Sequence, residues 1–291
     1  MPKKKKVSNL LYFYLLEQKD LLSFTYSVSQ AIYINMYRQL TNRKIRILNI
    51  DIDNITSHKL LTKINKGGVL LTPNVDHLVK LQFDSEFYQI YQQAEYVVCD
   101  SQILIYVSKF LGNKIVEKIS GSDFFPQFYQ HYKNDRDIRI FLLGGERHAV
   151  KLAQSTINTK VGRQIVVGGY SPPFGFEHDR FECERIIQLI NNSGATVLAV
   201  GLGAPKQEKW IARYKSQLPK IKIFLAIGAT INFEAGIIKR APKWMSEVGL
   251  EWLHRLVLEP RRLWKRYLLE APLLLWLVLK QKFNCYRHEK L

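Results

Sequence analysis

Residues 196–217, TVLAVGLGAPKQEKWIARYKSQ, contain an apolar run, a glycine turn and a segment of helical periodicity, in that order. The run over residues 196–200 is typical of a buried strand, the turn Gly201-Leu202-Gly203 ends it, and residues 207–217 fit an amphipathic helix. The same order recurs on both sides of this segment. Such alternation predicts an α/β fold with a mostly parallel, Rossmann-like sheet and helices on both faces.

The other predicted elements lie between residues 44 and 227. Strands are predicted over residues 44–50, 69–71, 96–99, 138–143, 165–167 and 222–227, and helices over residues 76–91, 103–110, 149–157 and 181–191. In open sheets of this kind, ligands bind at the carboxyl ends of the strands. The polar and glycine residues expected at that edge are Thr72, Asn74, Asp100, Gly144, Gly145, Gly201, Gly203 and Asn232.

The composition is that of a globular protein with an unusual charge. The chain has 291 residues, of which 47% are hydrophobic, and its net charge is +18. Residues 1–46 and 239–291 each carry +7, which leaves only +4 for the residues between them. Basic flanks of this kind predict contact with anionic lipid, nucleic acid or phosphorylated substrates. The three cysteines have no CxxC spacing, which favours a reducing compartment and no zinc module.

The two flanks predict separate segments on either side of the core. We expect a basic leader over residues 1–43, an α/β core over 44–238 and a basic, amphipathic helical appendage over 239–291. Residues 21–37 are too polar for a spanning helix, so the leader is either disordered or lies on a membrane face. The run Leu273–Leu279 is too short to cross a bilayer. It is either a helix buried on the core or an interfacial helix.

Several motifs suggest chemistry, each with a simpler structural alternative. Glycine turns between strand and helix let backbone amides approach an anion, although neither GxGxxG nor GxxxxGK[ST] is present. Asp100 follows a predicted strand, where it is either a general base or the N-cap of the next helix. Asp51-Ile52-Asp53 is interpreted as a turn, and no metal is expected. The cations, Trp, Glu and Pro of residues 240–266 favour a structured phosphate site.

Ten ordered motifs, with compatible spacing, make the region from Ile47 to Lys282 resemble the WecG/TagA/CpsF family of glycosyltransferases. The motifs are Thr72-Pro73-Asn74, Cys99-Asp100, Ser120-Gly121-Ser122-Asp123, Leu143-Gly144-Gly145, Gly169-Tyr170-Ser171-Pro172-Pro173, GLGAPKQEKW at 201–210, Gly236, Arg240-Ala241-Pro242, GLEW at 249–252 and EPRR at 259–262.

The resemblance implies an inverting, metal-independent transfer of a sugar from a UDP-sugar to an undecaprenyl-pyrophosphate-linked saccharide. This step belongs to bacterial surface polysaccharide synthesis, at the cytoplasmic face of the inner membrane, with no cofactor. Asp100 matches the family's proposed general base. The substrate-binding residues that the resemblance and the strand ends suggest are Thr72, Asn74, Gly144, Gly145, Gly203, Gln207, Asn232, Arg255, Arg262 and Lys265.

The chain departs from the family pattern at Ser101-Gln102, where Gly is usual after the Asp. It also has Asn232 where Asp is usual and Lys265 where Arg is common. The donor sugar therefore stays open between an N-acetylhexosamine such as N-acetylmannosamine and a related hexose. Two rival functions are a non-catalytic nucleotide-binding or scaffolding protein and a nucleic-acid-binding protein. The low charge of the middle region disfavours nucleic acid, and the sequence leaves a homo-oligomer open.

Overall fold

The computed structural model describes residues 44–287 apart from 243, 246, 247, 249, 259, 261–263 and 265–269. The side chains of residues 251, 252, 255 and 258 also lie outside this description. The predicted leader over residues 1–43 therefore falls outside the described residues, and its expected contact with a membrane stays a prediction.

A six-stranded parallel sheet forms the centre of the described region, which confirms the predicted fold class. Its strands lie in the order β4-β3-β8-β7-β5-β6. Because all six strands run parallel, their carboxyl ends meet at one edge. The strands are β3 (Gly68–Leu71), β4 (Tyr96–Val97), β5 (Ile140–Gly144), β6 (Val166–Tyr170), β7 (Val197–Gly201) and β8 (Ile223–Ala226).

A separate antiparallel hairpin precedes this sheet. Its strands are β1 (Lys44–Ile47) and β2 (Ile50–Asp53), so the prediction of one strand over residues 44–50 is wrong. The chain reverses at Leu48, whose φ is +52°. The interpretation of Asp51 and Asp53 as a turn is also wrong, since both lie in β2, where Arg46 pairs with Asp51 at 3.0 Å.

Helices connect the strands, and their boundaries correct one prediction. The single helix expected over residues 76–91 is two helices, because the Asp84 side chain accepts a hydrogen bond from the backbone N–H of Phe87 at 2.9 Å and starts a new helix. The described helices include α1 (Ser57–Ile64), α2 (Val75–Lys80), α3 (Ser85–Gln93), α4 (Gln102–Phe110), α5 (Gly121–His131), α6 (Ala149–Val161), α7 (Arg180–Asn192), α8 (Lys206–Tyr214), α9 (Thr230–Glu234), α10 (Glu251–Leu258) and α11 (Ala271–Lys282).

Two hydrophobic clusters lie on opposite faces of the sheet. The strand β5 shows the alternation directly, since Phe141 and Leu143 belong to one cluster whereas Ile140 and Leu142 belong to the other. Alternate residues of a strand point to opposite faces, so both faces of this strand are buried. The sheet is therefore covered by helices on both sides, as predicted.

The C-terminal helix α11 has one buried and one exposed face. Leu274, Leu277 and Val278 join the first core cluster, and the Gln281 side chain accepts a hydrogen bond from the backbone N–H of Leu48 at 2.8 Å. Trp276 on the other face is 52% exposed. Of the two alternatives for this segment, core packing holds for one face, and the interfacial alternative stays open for the other. Among the described helices, none combines the length and apolarity needed to cross a membrane.

Candidate functional site

The ends of β3 and β4 bring three predicted site residues together. Leu71 of β3 is paired with Val97 of β4, and beyond them the backbone N–H of Asp100 donates to the carbonyl of Pro73 at 3.0 Å. Thr72 and Asn74 flank that proline, Thr72 buried and Asn74 half-buried. We call Thr72, Asn74 and Asp100 the acidic half of the site.

Asp100 stands just before helix α4, yet it does not occupy the N-cap position. The residue at the N-cap is Ser101, which has an extended backbone and makes no side-chain capping bond. The N-cap alternative for Asp100 is therefore not what the structure shows. Asp100 is half-buried beside Cys99, whose carbonyl accepts a hydrogen bond from the N–H of Ile119 at 2.7 Å. The strand end that carries the carboxylate is thus fixed on both sides.

The ends of β5 and β7 meet through glycines that leave no room for side chains. Gly144 has a φ of +114°, and a Cβ there would lie 2.4 Å from the carbonyl oxygen of Gly201. The backbone N–H of Gly145 donates to that same oxygen at 3.1 Å. A Cβ on Gly201 would in turn lie 2.6 Å from the carbonyl oxygen of Gly228. These glycines bring three strand ends into direct backbone contact.

Asn232, in helix α9, belongs to the same part of the edge. Its side-chain oxygen accepts a hydrogen bond from the backbone N–H of Glu146 at 3.0 Å, and it lies 3.1 Å from the position that a Cβ of Gly145 would take. An Asp in place of Asn232 would offer the same oxygen to Glu146. We call Gly144, Gly145, Gly201 and Asn232 the glycine half of the site.

The acidic half and the glycine half are not in contact across the sheet. Strand β8 lies between β3 and β7, so spacings of about 4.8 Å place the nearest strand ends of the two halves roughly 10 Å apart and the farthest, those of β4 and β5, roughly 19 Å apart. The sequence placed all these residues at one edge, which is correct.

The residue pair Gln207–Glu208, at the start of α8, lies between the two halves. The Gln207 side chain accepts a hydrogen bond from the backbone N–H of Gly228 at 3.1 Å and donates to Glu208 Oε1 at 2.9 Å. Gln207 is 4% exposed and Glu208 is 0% exposed. Gly203 precedes them with a φ of +78° and open space around it. The prediction that Gln207 and Gly203 lie at this edge is therefore met in position, while their contact with substrate stays a prediction.

The sequence interpretation missed Glu208, although a signal for it exists. Positions 207, 208, 210 and 211 of α8 are all buried, and Ile211 lies one helical turn after Glu208. Helical periodicity therefore puts this carboxyl on the buried side of an amphipathic helix. Burying a carboxyl on the apolar face of a helix costs free energy, so an acidic residue there rarely serves only to pack the core. Periodicity, applied residue by residue, would have identified it.

A buried polar network beneath the acidic half was also missed. The Tyr91 hydroxyl lies 2.6 Å from Nδ1 of His77, and both side chains are buried. Burial raises the pKa of Tyr91 well above its usual value, and the charges of Glu208, Asp100 and Asp76 raise it further. The three carboxyls therefore act on the same buried hydroxyl, which links Asp100 electrostatically to Glu208.

Lys80 supplies a cation to this network. Its ammonium group lies 2.9 Å from Asp76, which is nearly buried, and donates to the carbonyl oxygen of Ala204 at 3.3 Å. The second contact joins α2, whose N-cap is Asn74, to the loop before Gln207. Lys80 therefore ties the acidic half to the centre of the edge.

Two of the resembling motifs have a structural role. Ser120 caps helix α5, and Arg240 forms an ion pair with Asp123 in the first turn of that helix. Burial alone would raise the pKa of Asp123, but hydrogen bonds from Ser120 and Arg240 hold it below the usual value. Arg240 thus anchors the segment after α9 on the core, rather than standing ready for a phosphate.

The predicted phosphate-binding cations fall mostly outside the description. Arg255 lies in α10, but its side chain is not described, and Arg262 and Lys265 lie outside the described residues. Their role therefore stays a prediction. Within the described part of the chain, no group of three or more His, Cys, Asp or Glu side chains is placed to hold a metal ion.

Comparison with known proteins identifies the chain. The glycosyl transferase WecG/TagA/CpsF family model matches residues 45–288. A Bacillus subtilis (strain 168) relative, named N-acetylglucosaminyldiphosphoundecaprenol N-acetyl-beta-D-mannosaminyltransferase, is 30% identical over 233 residues, covering 80% of this chain and 86% of the relative. A Bacillus spizizenii relative of the same name is 26% identical over 244 residues, covering 82% and 90%.

The chain is therefore a glycosyltransferase, and its fold is a parallel α/β sheet with a carboxylate and glycine turns at one edge. The family model spans most of the chain, including both halves of the site and helices α10 and α11. The chain belongs to the WecG/TagA/CpsF family. The resemblance drawn from the sequence motifs is confirmed.

Proposed function

We propose that the protein transfers a sugar, with inversion and without a metal ion, from a UDP-sugar to an undecaprenyl-pyrophosphate-linked saccharide. The observation that carries this proposal is the hydrogen bond between the Asp100 backbone N–H and the Pro73 carbonyl, which holds the Asp100 backbone beside Thr72 and Asn74 at the carboxyl ends of the strands. The two Bacillus relatives, whose names specify an undecaprenol-linked acceptor, support the acceptor class.

In the proposed reaction, Asp100 acts as the general base. An acceptor hydroxyl loses its proton to Asp100 while its oxygen bonds to the anomeric carbon of the donor, and the bond from that carbon to the diphosphate oxygen breaks. UDP leaves with the bonding electron pair. Attack from the face opposite UDP inverts the anomeric centre. Thr72 and Asn74, on the adjacent strand end, are suited to hydrogen-bond the hydroxyls of the sugar being joined.

The glycine half is suited to the nucleotide end of the donor. Gly203, which follows β7 and has nothing within 4 Å of the position a Cβ would take, leaves room for a ligand to approach the backbone beside this half. Asn232 adds a polar side chain at the same place. Since the ends of β7 and β5 lie roughly 14 and 19 Å from the end of β4 along the sheet, we propose that the donor extends across the edge, with its sugar pointing toward the acidic half.

Stabilisation of the departing diphosphate requires cations, because the reaction is proposed to use no metal ion. We assign this role to Arg255, Arg262 and Lys265, whose side chains would bind phosphate oxygens directly. All three belong to the basic segment that follows the core. This assignment rests on the resemblance of the segment that carries the GLEW and EPRR motifs, and it predicts transfer that needs no added metal ion.

The acceptor is proposed to reach the site from the cytoplasmic face of a bacterial inner membrane, on which the protein lies peripherally. The exposed face of α11 carries Leu275 and Trp276, and the Lys280 ammonium lies 3.5 Å from the centre of the Trp276 ring. Aromatic groups beside cations are suited to the boundary between acyl chains and phosphates. The net charge of +7 on residues 239–291 favours an anionic surface.

The test is transfer from radiolabelled UDP-sugars to a synthetic polyprenyl-pyrophosphate-linked saccharide. A panel should include UDP-N-acetylmannosamine, UDP-N-acetylglucosamine and UDP-glucose, each assayed with and without EDTA. We expect a lipid-linked product with an N-acetylhexosamine donor, unchanged by EDTA and inverted at the anomeric carbon. Absence of transfer from every donor would favour a non-catalytic role, and dependence on Mg²⁺ or Mn²⁺ would contradict the assignment of the three cations.

A further inference from the structure

Glu208 is a fully buried carboxyl that the proposed reaction does not use. Its side chain is 0% exposed, and Oε1 accepts a hydrogen bond from Gln207 Nε2 at 2.9 Å. Its other oxygen, Oε2, is buried and has no hydrogen-bond partner within the part of the chain that the structure describes. Because a buried polar atom without a partner lowers stability, such an atom calls for an explanation.

The side chains around Glu208 do not balance the negative charge of its carboxylate. Among the described residues no cation forms an ion pair with Glu208, and Lys80 is already bound to Asp76 at 2.9 Å and to the Ala204 carbonyl. Burial raises the pKa of Glu208 to about 7, with Lys80 lowering it and Asp76 raising it. Tyr91 on α3 faces the same cluster. A buried apolar side chain at this position would be less costly to the fold than a carboxyl.

Glu208 holds the side-chain amide of Gln207 in one orientation. That amide accepts from the Gly228 backbone N–H through its oxygen and donates to Glu208 through its nitrogen. If the amide turned over, its NH₂ group would face the Gly228 N–H, donor against donor, and its oxygen would face the carboxyl. Glu208 therefore selects one of two amide orientations. One hydrogen on Gln207 Nε2 stays outside the hydrogen bonds of the described residues.

Gly228 connects the oriented Gln207 amide to the glycine half. It follows β8, the strand between β3 and β7, and its carbonyl oxygen lies where a Cβ on Gly201 would collide at 2.6 Å. The turn at Gly228 also leads into α9, which carries Asn232. A chain of contacts thus runs from Glu208 through Gln207 to Gly228 and the glycine half.

We propose that Glu208 is a positioning residue for glycosyl transfer: it fixes the Gln207 amide, and through it the Gly228 turn, between the two halves of the site. This inference rests on the proposed function. Glu208 touches no substrate itself, and its effect passes through Gln207. Removing Glu208 and removing Gln207 should therefore damage the same step.

The test is a double-mutant cycle measured as kcat and KM for transfer. Glu208→Gln keeps the acceptor oxygen for Gln207, so we expect kcat within about threefold of the natural enzyme, whereas Glu208→Leu should lower kcat at least 30-fold. Adding Glu208→Leu to Gln207→Leu should cost less than twofold more, since the two act as one unit. Glu184→Leu, on an exposed position of α7, is the matched control and should leave kcat unchanged.

The proposal would be overturned if the two substitutions lowered kcat independently in the double variant. It would also be overturned if Glu208→Gln and Glu208→Leu lowered kcat equally. Because Glu208→Leu can also fail to fold, a second measurement uses the natural chain without substrate. In protein labelled with ¹⁵N-glutamine, the side-chain signal assigned by Gln207→Leu should shift with pH around 7 and lose that shift in Glu208→Gln. A signal that does not respond to Glu208→Gln would overturn the contact.

These readouts separate the two proposals. The amide signal requires no donor or acceptor, so it reports the Glu208–Gln207 contact even if no sugar is transferred. A responsive amide in a chain that transfers no sugar contradicts the proposed function and supports the contact. An active chain with additive losses contradicts the positioning role and supports the proposed function.

Discussion

The acidic half and the glycine half of the site present their chemistry in opposite ways. At the ends of β3 and β4, the side chains of Thr72, Asn74 and Asp100 provide the polar groups. At the ends of β5 and β7, the absence of side chains at Gly144 and Gly201 brings backbones into contact. The first half is therefore sensitive to the loss of an atom, whereas the second is sensitive to the gain of one.

Because of this difference, we expect substitutions in the two halves to affect different properties of the protein. A side chain at a strand end can be replaced by one of equal size while the sheet stays intact. A glycine whose Cβ would meet a neighbouring backbone cannot be replaced without moving a strand end. Substitutions in the acidic half should thus change rate at constant stability, and those in the glycine half should change stability first.

The largest effect is expected for Asp100→Asn. Asn has the size of Asp but cannot take up the proton of the hydroxyl that attacks the donor sugar. We therefore expect kcat for transfer to fall about 10³-fold, within the range for general bases. Asp137→Asn, the same change at an exposed position before β5 at the opposite edge, is the matched control and should keep full activity. The measurement is initial rate with the donor identified by the panel, and undiminished activity of Asp100→Asn would remove the base assignment.

The next effect is expected for Gly144→Ala. Its Cβ would lie 2.4 Å from the Gly201 carbonyl at a φ of +114°, so strain and collision should together lower the free energy of unfolding by about 3 kcal/mol or more. Gly203→Ala is the control: its φ of +78° is also positive, though closer to the left-handed region that L-residues can adopt, and nothing lies within 4 Å of the added atom. It should lose about 1 kcal/mol. Urea unfolding measures both, and equal losses would show that the contact between strand ends is not what matters.

A third prediction concerns Glu208, between the two halves. Burial raises its pKa from 4.5 to about 7. The unfolded chain therefore releases this proton near pH 4.5, while the native chain keeps it until about pH 7. Because the native state binds more protons between these values, its stability falls as the pH rises through that window.

Glu208→Gln removes this titration. The unfolding free energy of the natural chain, relative to that of Glu208→Gln, should fall by about 3 kcal/mol between pH 4 and pH 8, since one pKa unit corresponds to about 1.4 kcal/mol. Most of the change should occur below pH 7. Chemical unfolding at a series of pH values measures it, and parallel curves for the two proteins would show that the native carboxyl ionises as it does in the unfolded chain.

The sequence allowed the acidic half to be predicted, because its residues belong to short local patterns. Thr72, Asn74 and Asp100 directly follow apolar runs, and parallel strands carry such residues to one edge. The strand order was not available from these patterns. Without it, the distance between Asp100 and Asn232 could not be estimated, and the candidate residues were assigned to one edge of the sheet without being divided into two groups.

Boundaries and buried polar groups were harder to predict from the sequence. The apolar positions 78, 81, 87 and 90 were assigned to one helix, although the polar Asp84 and Ser85 interrupt the period; the Asp84 side chain caps a second helix by its bond to Phe87. The Glu208–Tyr91–His77 network depends on contacts between α2, α3 and α8, which no spacing within one helix reveals. Side-chain burial was predictable along each element, and contact between elements was not.

The smallest effect is expected outside both halves, on helix α11. Trp276 is 52% exposed on the face opposite the buried Leu277, so Trp276→Ser should leave the unfolding free energy unchanged. If this face enters the acyl boundary, the substitution should weaken binding to phosphatidylglycerol vesicles about tenfold, as expected for losing part of one aromatic side chain. Phe181→Ser removes an 83% exposed ring from α7, the helix that follows the outermost strand β6, and should not change vesicle binding. Equal vesicle binding by Trp276→Ser and the natural chain would shift the membrane contact from α11 to the basic leader, because that segment carries the other large excess of positive charge.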